Sequence, residues 1–160
     1  MAGLCLEGHN GAMRIARLAE KLLRFGELSL ADKWLFGRAV VELAFARVQL
    51  ATTPFERLAR RLSDETGSVN TQADPELLQR VGFAVAAAAN NVPWRSDCFP
   101  QTLAAHFLLK RFGYESTIHF GVDRTGGAEL DAHAWLSCGD TIVTGGGELQ
   151  RYTELHRIES

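Results

Sequence analysis

The chain has 160 residues, 46% of them hydrophobic and 22% charged, with a formal net charge of −2. A chain of this size buries a proper core as one domain without metals or disulfides, and its charge balance argues against a general nucleic-acid binder. Three cysteines, Cys5, Cys98 and Cys138, form neither a CxxC pair nor an even disulfide framework. No apolar run reaches membrane-spanning length and no signal-peptide pattern opens the chain, so the expectation is a cytoplasmic protein with free thiols.

Residues 1–11 are glycine-containing and aperiodic. Ala12 to Phe25 repeats its apolar positions at helical spacing and Gly26 ends the run. Ser29 with Asp32 predicts a capped, longer helix to about Ala51. Its polar residues Arg38, Glu42 and Gln49 make only a narrow stripe, so this helix is expected to be mostly buried or partly covered by another protein. Thr53, Pro54 and Glu56 predict a short helix to about Leu62. Its Arg57, Arg60 and Arg61 read as a solvated face, with an acidic leader or partner surface as the alternative. Residues 63–74 are polar and read as a surface loop. Asp74 and Pro75 open an alanine-rich helix that Asn90 and Asn91 end.

Val92 to Phe112, VPWRSDCFPQTLAAHFLLKRF, is the stretch on which the reading turns. Ser96 and Asp97 are N-cap residues and Pro100 fits only a first turn. Cys98 is therefore expected at a helix N-terminus, where free N–H groups and the helix dipole stabilise a thiolate. Beyond Gly113 the period changes from helix to strand. Ile118, Phe120 and Val122 alternate with Thr117 and His119. Leu130, Ala132, Ala134 and Leu136 alternate with Asp131, His133, Trp135 and Ser137. Gly139-Asp140 predicts a hairpin turn into Thr141–Thr144, and Tyr152 to Ile158 a last strand. The expected architecture is α+β, a helical subregion over residues 12–90 and a catalytic core with an antiparallel sheet over 91–160, in a single domain.

A cysteine at a helix start followed by a histidine on a strand is the order in which a thiol nucleophile and its base meet in space while remote in sequence. Cys98 and His133 are the candidate pair. Trp94 and Arg95 are candidate substrate-binding residues, with an aromatic plug and a solvated arginine as the plainer readings. Trp135 shares a face with His133 and is placed to shield it, or serves as an ordinary core aromatic. His106 and His119 read as structural, and no HxxH, HxH or CxxC spacing supports a metal site.

VPWRSDCFPQTLAAHFLLKRFGYESTIHFGV followed by AHAWLSCGDTIVTGG resembles the transglutaminase-like leader peptidases of lasso-peptide biosynthesis, relatives of the processing B protein of the microcin J25 pathway. The likeness runs from about residue 15 to 158. It implies a transglutaminase/papain-like cysteine-protease core, with Cys98 as nucleophile and His133 as its base. It implies cleavage of a leader from a ribosomally made precursor peptide, without metal or nucleotide. The implied partners are that precursor, a small leader-recognition protein and an ATP-dependent cyclase resembling asparagine synthetase. One position departs from the family pattern: the third catalytic residue is an aspartate there, and a gap-free match puts it at Gly145. Asp140 stands seven strand residues from His133, ~23 Å at strand rise, and Asp131 about 7 Å along the same face. Glu148, the Thr144 hydroxyl and a main-chain carbonyl are the other groups that can orient the ring. The alternatives to a peptidase are an acyl-transferase using the same nucleophile and a non-catalytic docking subunit that presents the precursor.

Overall fold

The computed structural model describes residues 28–64, 74–123, 131–147 and 149–159. The sequence-predicted helix over residues 12–25 and Cys5 lie outside these, as do Leu130 and Glu148. By contact density the chain divides into two units, Met1–Trp34 and Leu35–Ser160. The described part of the first holds the Ser29 cap. There the hydroxyl accepts from Asp32 N (3.1 Å) and donates to the Asp32 carboxylate (2.6 Å), the expected capping pair.

Among the described residues four helices precede the sheet: α1 (Leu30–Thr52), α2 (Phe55–Asp64), α3 (Pro75–Ala89) and α4 (Cys98–Arg111). Each begins close to where the sequence signals place it. Asp74 caps α3 by accepting the Glu76 N–H at 3.0 Å, and Asn90 closes it. Thr53 does not cap α2, because its hydroxyl turns back to Gln49 while Pro54 supplies the first carbonyl acceptor.

α1 departs from the expected pattern. Glu42, placed on the polar stripe by the sequence, is 1% exposed, whereas Val41, Phe45 and Val48 stand 53%, 46% and 57% exposed. The inversion has an electrostatic cause. Glu42 Oε1 accepts from Arg38, one turn earlier, and from Arg111 Nε at the end of α4, both at 2.7 Å. A buried carboxylate held by two guanidiniums is tolerated where an unpaired one is not. The helix therefore turns Leu35, Ala39, Leu43 and Ala46 inward together with Glu42.

The strands β1 (Thr117–Asp123), β2 (Asp131–Cys138), β3 (Thr141–Thr144) and β4 (Thr153–Glu159) form one antiparallel sheet in the order β3-β2-β1-β4. Gly139 takes the positive φ that the predicted two-residue turn between β2 and β3 requires. A short 3-10 turn, Leu149–Arg151, precedes β4. The period-2 pattern divides the sheet as the sequence predicts. Ile118, Leu136, Cys138 and Ile158 pack with Leu103, Leu108 and Leu109 of α4 in the hydrophobic core. His119, Gly121, Trp135 and His133 line the other face, with His119 opposite Trp135 and Gly121 opposite His133. Helices first and a small antiparallel sheet after them make this an α+β fold. Among the described residues no helix is long and apolar enough to cross a membrane.

Candidate active site around Cys98 and His133

Cys98 is the first residue of α4. Asp97 has the extended backbone of an N-cap, yet its side chain makes no cap hydrogen bond. It lies against Arg95 at 3.4 Å on the surface, an exposed pair that contributes little to stability. Ser96 does not cap either: its carbonyl accepts from the Gln101 amide at 2.7 Å, while its hydroxyl is buried without a partner. Gln101 of the first turn thus reaches back to the chain before the helix, and neither Ser96 nor Asp97 caps the leading N–H groups with its side chain. That arrangement leaves the Cys98 N–H available to a negative charge forming at the thiol end of the helix.

The same turn is moored to β2. The buried Thr102 hydroxyl lies 2.9 Å from the Cys98 carbonyl and 3.2 Å from the Ala134 carbonyl. Those two oxygens are therefore no further apart than the two hydrogen bonds laid end to end. Ala134 follows His133 directly, so the start of α4 sits beside the strand that carries the candidate base. On the other flank of Cys98, Phe99 meets Phe120 edge-on at 5.2 Å, and Phe55 of α2 closes the cluster against both rings. Among the described residues no hydrogen bond joins the Cys98 thiol to the His133 ring. Catalytic hydrogen bonds are commonly loose before substrate binds.

His133 is tightly placed. Its Nε2 lies 2.9 Å from the Gly145 carbonyl oxygen. A carbonyl only accepts, so Nε2 carries the hydrogen and the neutral ring presents its lone pair at Nδ1. Position 145 is the one at which the leader peptidases that the sequence resembles would have an aspartate, and here its main-chain carbonyl is what meets the ring. Gly145 has φ +73, and a Cβ there would fall 2.7 Å from the Ala134 carbonyl oxygen and 2.8 Å from Trp135 Cβ. The approach is open to glycine alone. The Thr144 hydroxyl is buried without a partner and does not orient the ring. Asp131 is held by Tyr152, and Glu148 is outside the described residues.

Three aromatic side chains surround this face. Trp135 lies 6.1 Å from the His133 ring at 21°, and His119 stacks on Trp135 at 5.2 Å while its Nε2 bonds the Ser137 hydroxyl. Tyr152 also stacks on His133, at 4.8 Å and 28°. Gly121 makes room for this, since a Cβ there would meet the Trp135 ring at 2.9 Å and Tyr152 Cβ at 3.1 Å. The Tyr152 hydroxyl donates to Asp131 Oδ2 at 2.9 Å, and this bond is the main reason its proton is held above the ordinary tyrosine range. Asp131 faces Asp123 across the β1–β2 ladder, a like-charge pair that each strand would resist. Arg151 relieves it by binding the buried Asp123 at 2.8 Å.

Tyr152 is the residue that sequence reasoning missed. It stood at the start of a predicted strand, and its only signal was a lone aromatic after a glycine-rich loop. Of the other candidates, Trp94 buries its indole N–H without a partner and Arg95 extends into solvent. His106 is buried against Ser116, and Cys138 is a core residue whose thiol is pushed up first by burial and then by the charge of Glu115.

Compared with profiles of protein families, the chain matches the transglutaminase-like superfamily over residues 39–157, a span that includes Cys98, His133 and the whole sheet. The chain belongs to that superfamily. Its typical members are cysteine-protease-like enzymes, which supports peptidase or acyl-transfer chemistry here. Neither the curated proteins nor the solved structures returned a match.

Proposed function

We propose that this protein is a cysteine peptidase that removes the leader from a lasso-type precursor peptide. The observation that carries the peptidase reading is the environment of His133: a ring fixed through Nε2 beside a helix that starts at a cysteine. In the reaction Nδ1 of His133 takes the Cys98 proton, and Sγ attacks the scissile carbonyl. The Cys98 N–H faces the developing oxyanion. Collapse breaks the C–N bond, and His133 returns the proton to the departing amine of the core peptide. Water, deprotonated by the same ring, then hydrolyses the thioester and frees the leader. No metal or nucleotide enters these steps. The lasso-precursor assignment rests on the likeness of PWRSDCFPQ and AHAWLSCGD to the leader peptidases, as do the small recognition protein and the asparagine-synthetase-like cyclase as partners. Acyl transfer would differ only in replacing water by an amine at the second step. A docking subunit that presents the precursor without cutting it is the reading from another class, favoured by the exposed apolar residues of α1.

The test is mass spectrometry of the precursor incubated with the recognition protein and wild type, Cys98→Ala or His133→Ala protein. Release of an intact leader by wild type alone is the expected result. Precursor that binds wild type and stays whole would contradict it and favour docking.

A further inference from the structure

The family's carboxylate has two duties toward the histidine: it fixes the tautomer, and its charge stabilises the imidazolium formed in the reaction. A neutral carbonyl performs only the first, and bonds to neutral acceptors are roughly half as strong as charge-assisted ones. We propose that this protein divides the two duties, with the Gly145 carbonyl setting the tautomer of His133 and the Tyr152–Asp131 pair stabilising its imidazolium. The proposal rests on the reading of Cys98 and His133 as nucleophile and base.

Four observations support the division. Tyr152 lies nearly parallel to His133 with ring centres 4.8 Å apart, inside the range over which a cation is attracted to an aromatic face. Its hydroxyl is bonded to the Asp131 carboxylate at 2.9 Å, which draws the phenol proton away from the ring and enriches the face that His133 meets. Asp131 is also two residues from His133 on the same face of β2, so its charge acts on the imidazolium directly as well. Finally, Gly121 opposite His133 keeps open the space that Trp135 and Tyr152 fill. The remaining charged groups on this face do not duplicate the effect. Asp123 of β1 is neutralised by Arg151, Glu154 of β4 lies against His119 at 3.4 Å, and Arg157 is paired with Glu159. Arg151 sits 6.0 Å from the Tyr152 ring centre, so it works against an imidazolium, and Asp123 offsets it. Tyr152 and Asp131 are positioning residues, since both act through His133.

Two readouts test the proposal on the full-length protein. The first is the ring 15N shifts of neutral His133 by NMR, which need no substrate. The expected form is Nε2–H in wild type, in Tyr152→Phe and in Asp131→Asn alike; an Nδ1–H ring in wild type would overturn the role of Gly145. The second is the iodoacetamide alkylation rate of Cys98 near pH 6, which reads the thiolate–imidazolium pair. Asp131→Asn and Tyr152→Leu should slow it about three- to tenfold, and Tyr152→Phe, which keeps the ring but loses the bond to Asp131, by less. Rates within twofold of wild type in both Asp131→Asn and Tyr152→Leu would overturn the role of the pair. If wild-type Cys98 alkylates no faster than an unstructured cysteine peptide, the peptidase reading and the pair's role fall together. The 15N shifts still decide the role of Gly145.

Discussion

An aspartate at position 145 would have to enter where the backbone of β2 already stands. Its Cβ would lie 2.7 Å from the Ala134 carbonyl oxygen, on a residue whose φ is +73. Gly145→Asp is therefore expected to lower stability by about 1–3 kcal/mol and to slow Cys98 alkylation, although it introduces the residue type of the leader peptidases that the sequence resembles. Chemical denaturation and the alkylation rate check both halves; faster alkylation in a stable variant would show that the carboxylate was simply missing. The two residues proposed as nucleophile and base were read chiefly from the resemblance of their segments, since a cysteine and a later histidine are by type and order alone a weak signal. The group that orients His133 was not legible, because a main-chain carbonyl leaves no mark in residue type. Tyr152 was hidden for another reason: its contacts to Asp131 and His133 join positions 21 and 19 apart, which no local pattern reports.

Among the elements, α3 and α4 start in opposite ways. Asp74 satisfies a leading N–H of α3, whereas neither Ser96 nor Asp97 does so for α4. A structural helix is capped for stability, and a helix whose N-terminus faces a reacting group keeps its donors open. Asp74→Ala should lower stability by about 1 kcal/mol, moving the urea midpoint without changing the slope, and leave Cys98 alkylation unchanged. Asp97→Ala should leave stability within about 0.5 kcal/mol of wild type, because no cap bond is lost. A drop as large as that of Asp74→Ala would show that Asp97 caps after all. The strand bounds were read nearly residue for residue from their alternation, although in β2 burial runs unbroken over Ala134–Cys138. The helix starts were read from Ser29, Asp74 and Pro100. The orientation of α1 was misread at Glu42, since the Arg111 that draws it inward stands 69 residues away.

At the scale of the whole molecule, Glu42 links the first described helix to the end of the one that begins with Cys98. Glu42→Ala removes the carboxylate shared by Arg38 and Arg111, both of which reach solvent, and should destabilise the protein by about 1–3 kcal/mol in chemical denaturation; no measurable loss would mean that the pair is dispensable. Cys138 supplies an internal reference for the chemistry. Burial and Glu115 raise its pKa above the ordinary thiol range. Its protonated form therefore favours folding below that range, and this contribution is lost as pH rises through the raised value. Near neutral pH it should alkylate only slowly in the folded protein. The central claim is that Cys98 is activated by His133, and the most direct test is the rate at which iodoacetamide modifies each cysteine of the native protein, followed by peptide mass spectrometry at pH 6–8. The account predicts that Cys98 reacts well before Cys5 and Cys138, and that His133→Ala removes this advantage while the fold persists. Equal rates at Cys98 and Cys5, or a Cys98 rate indifferent to His133→Ala, would contradict it.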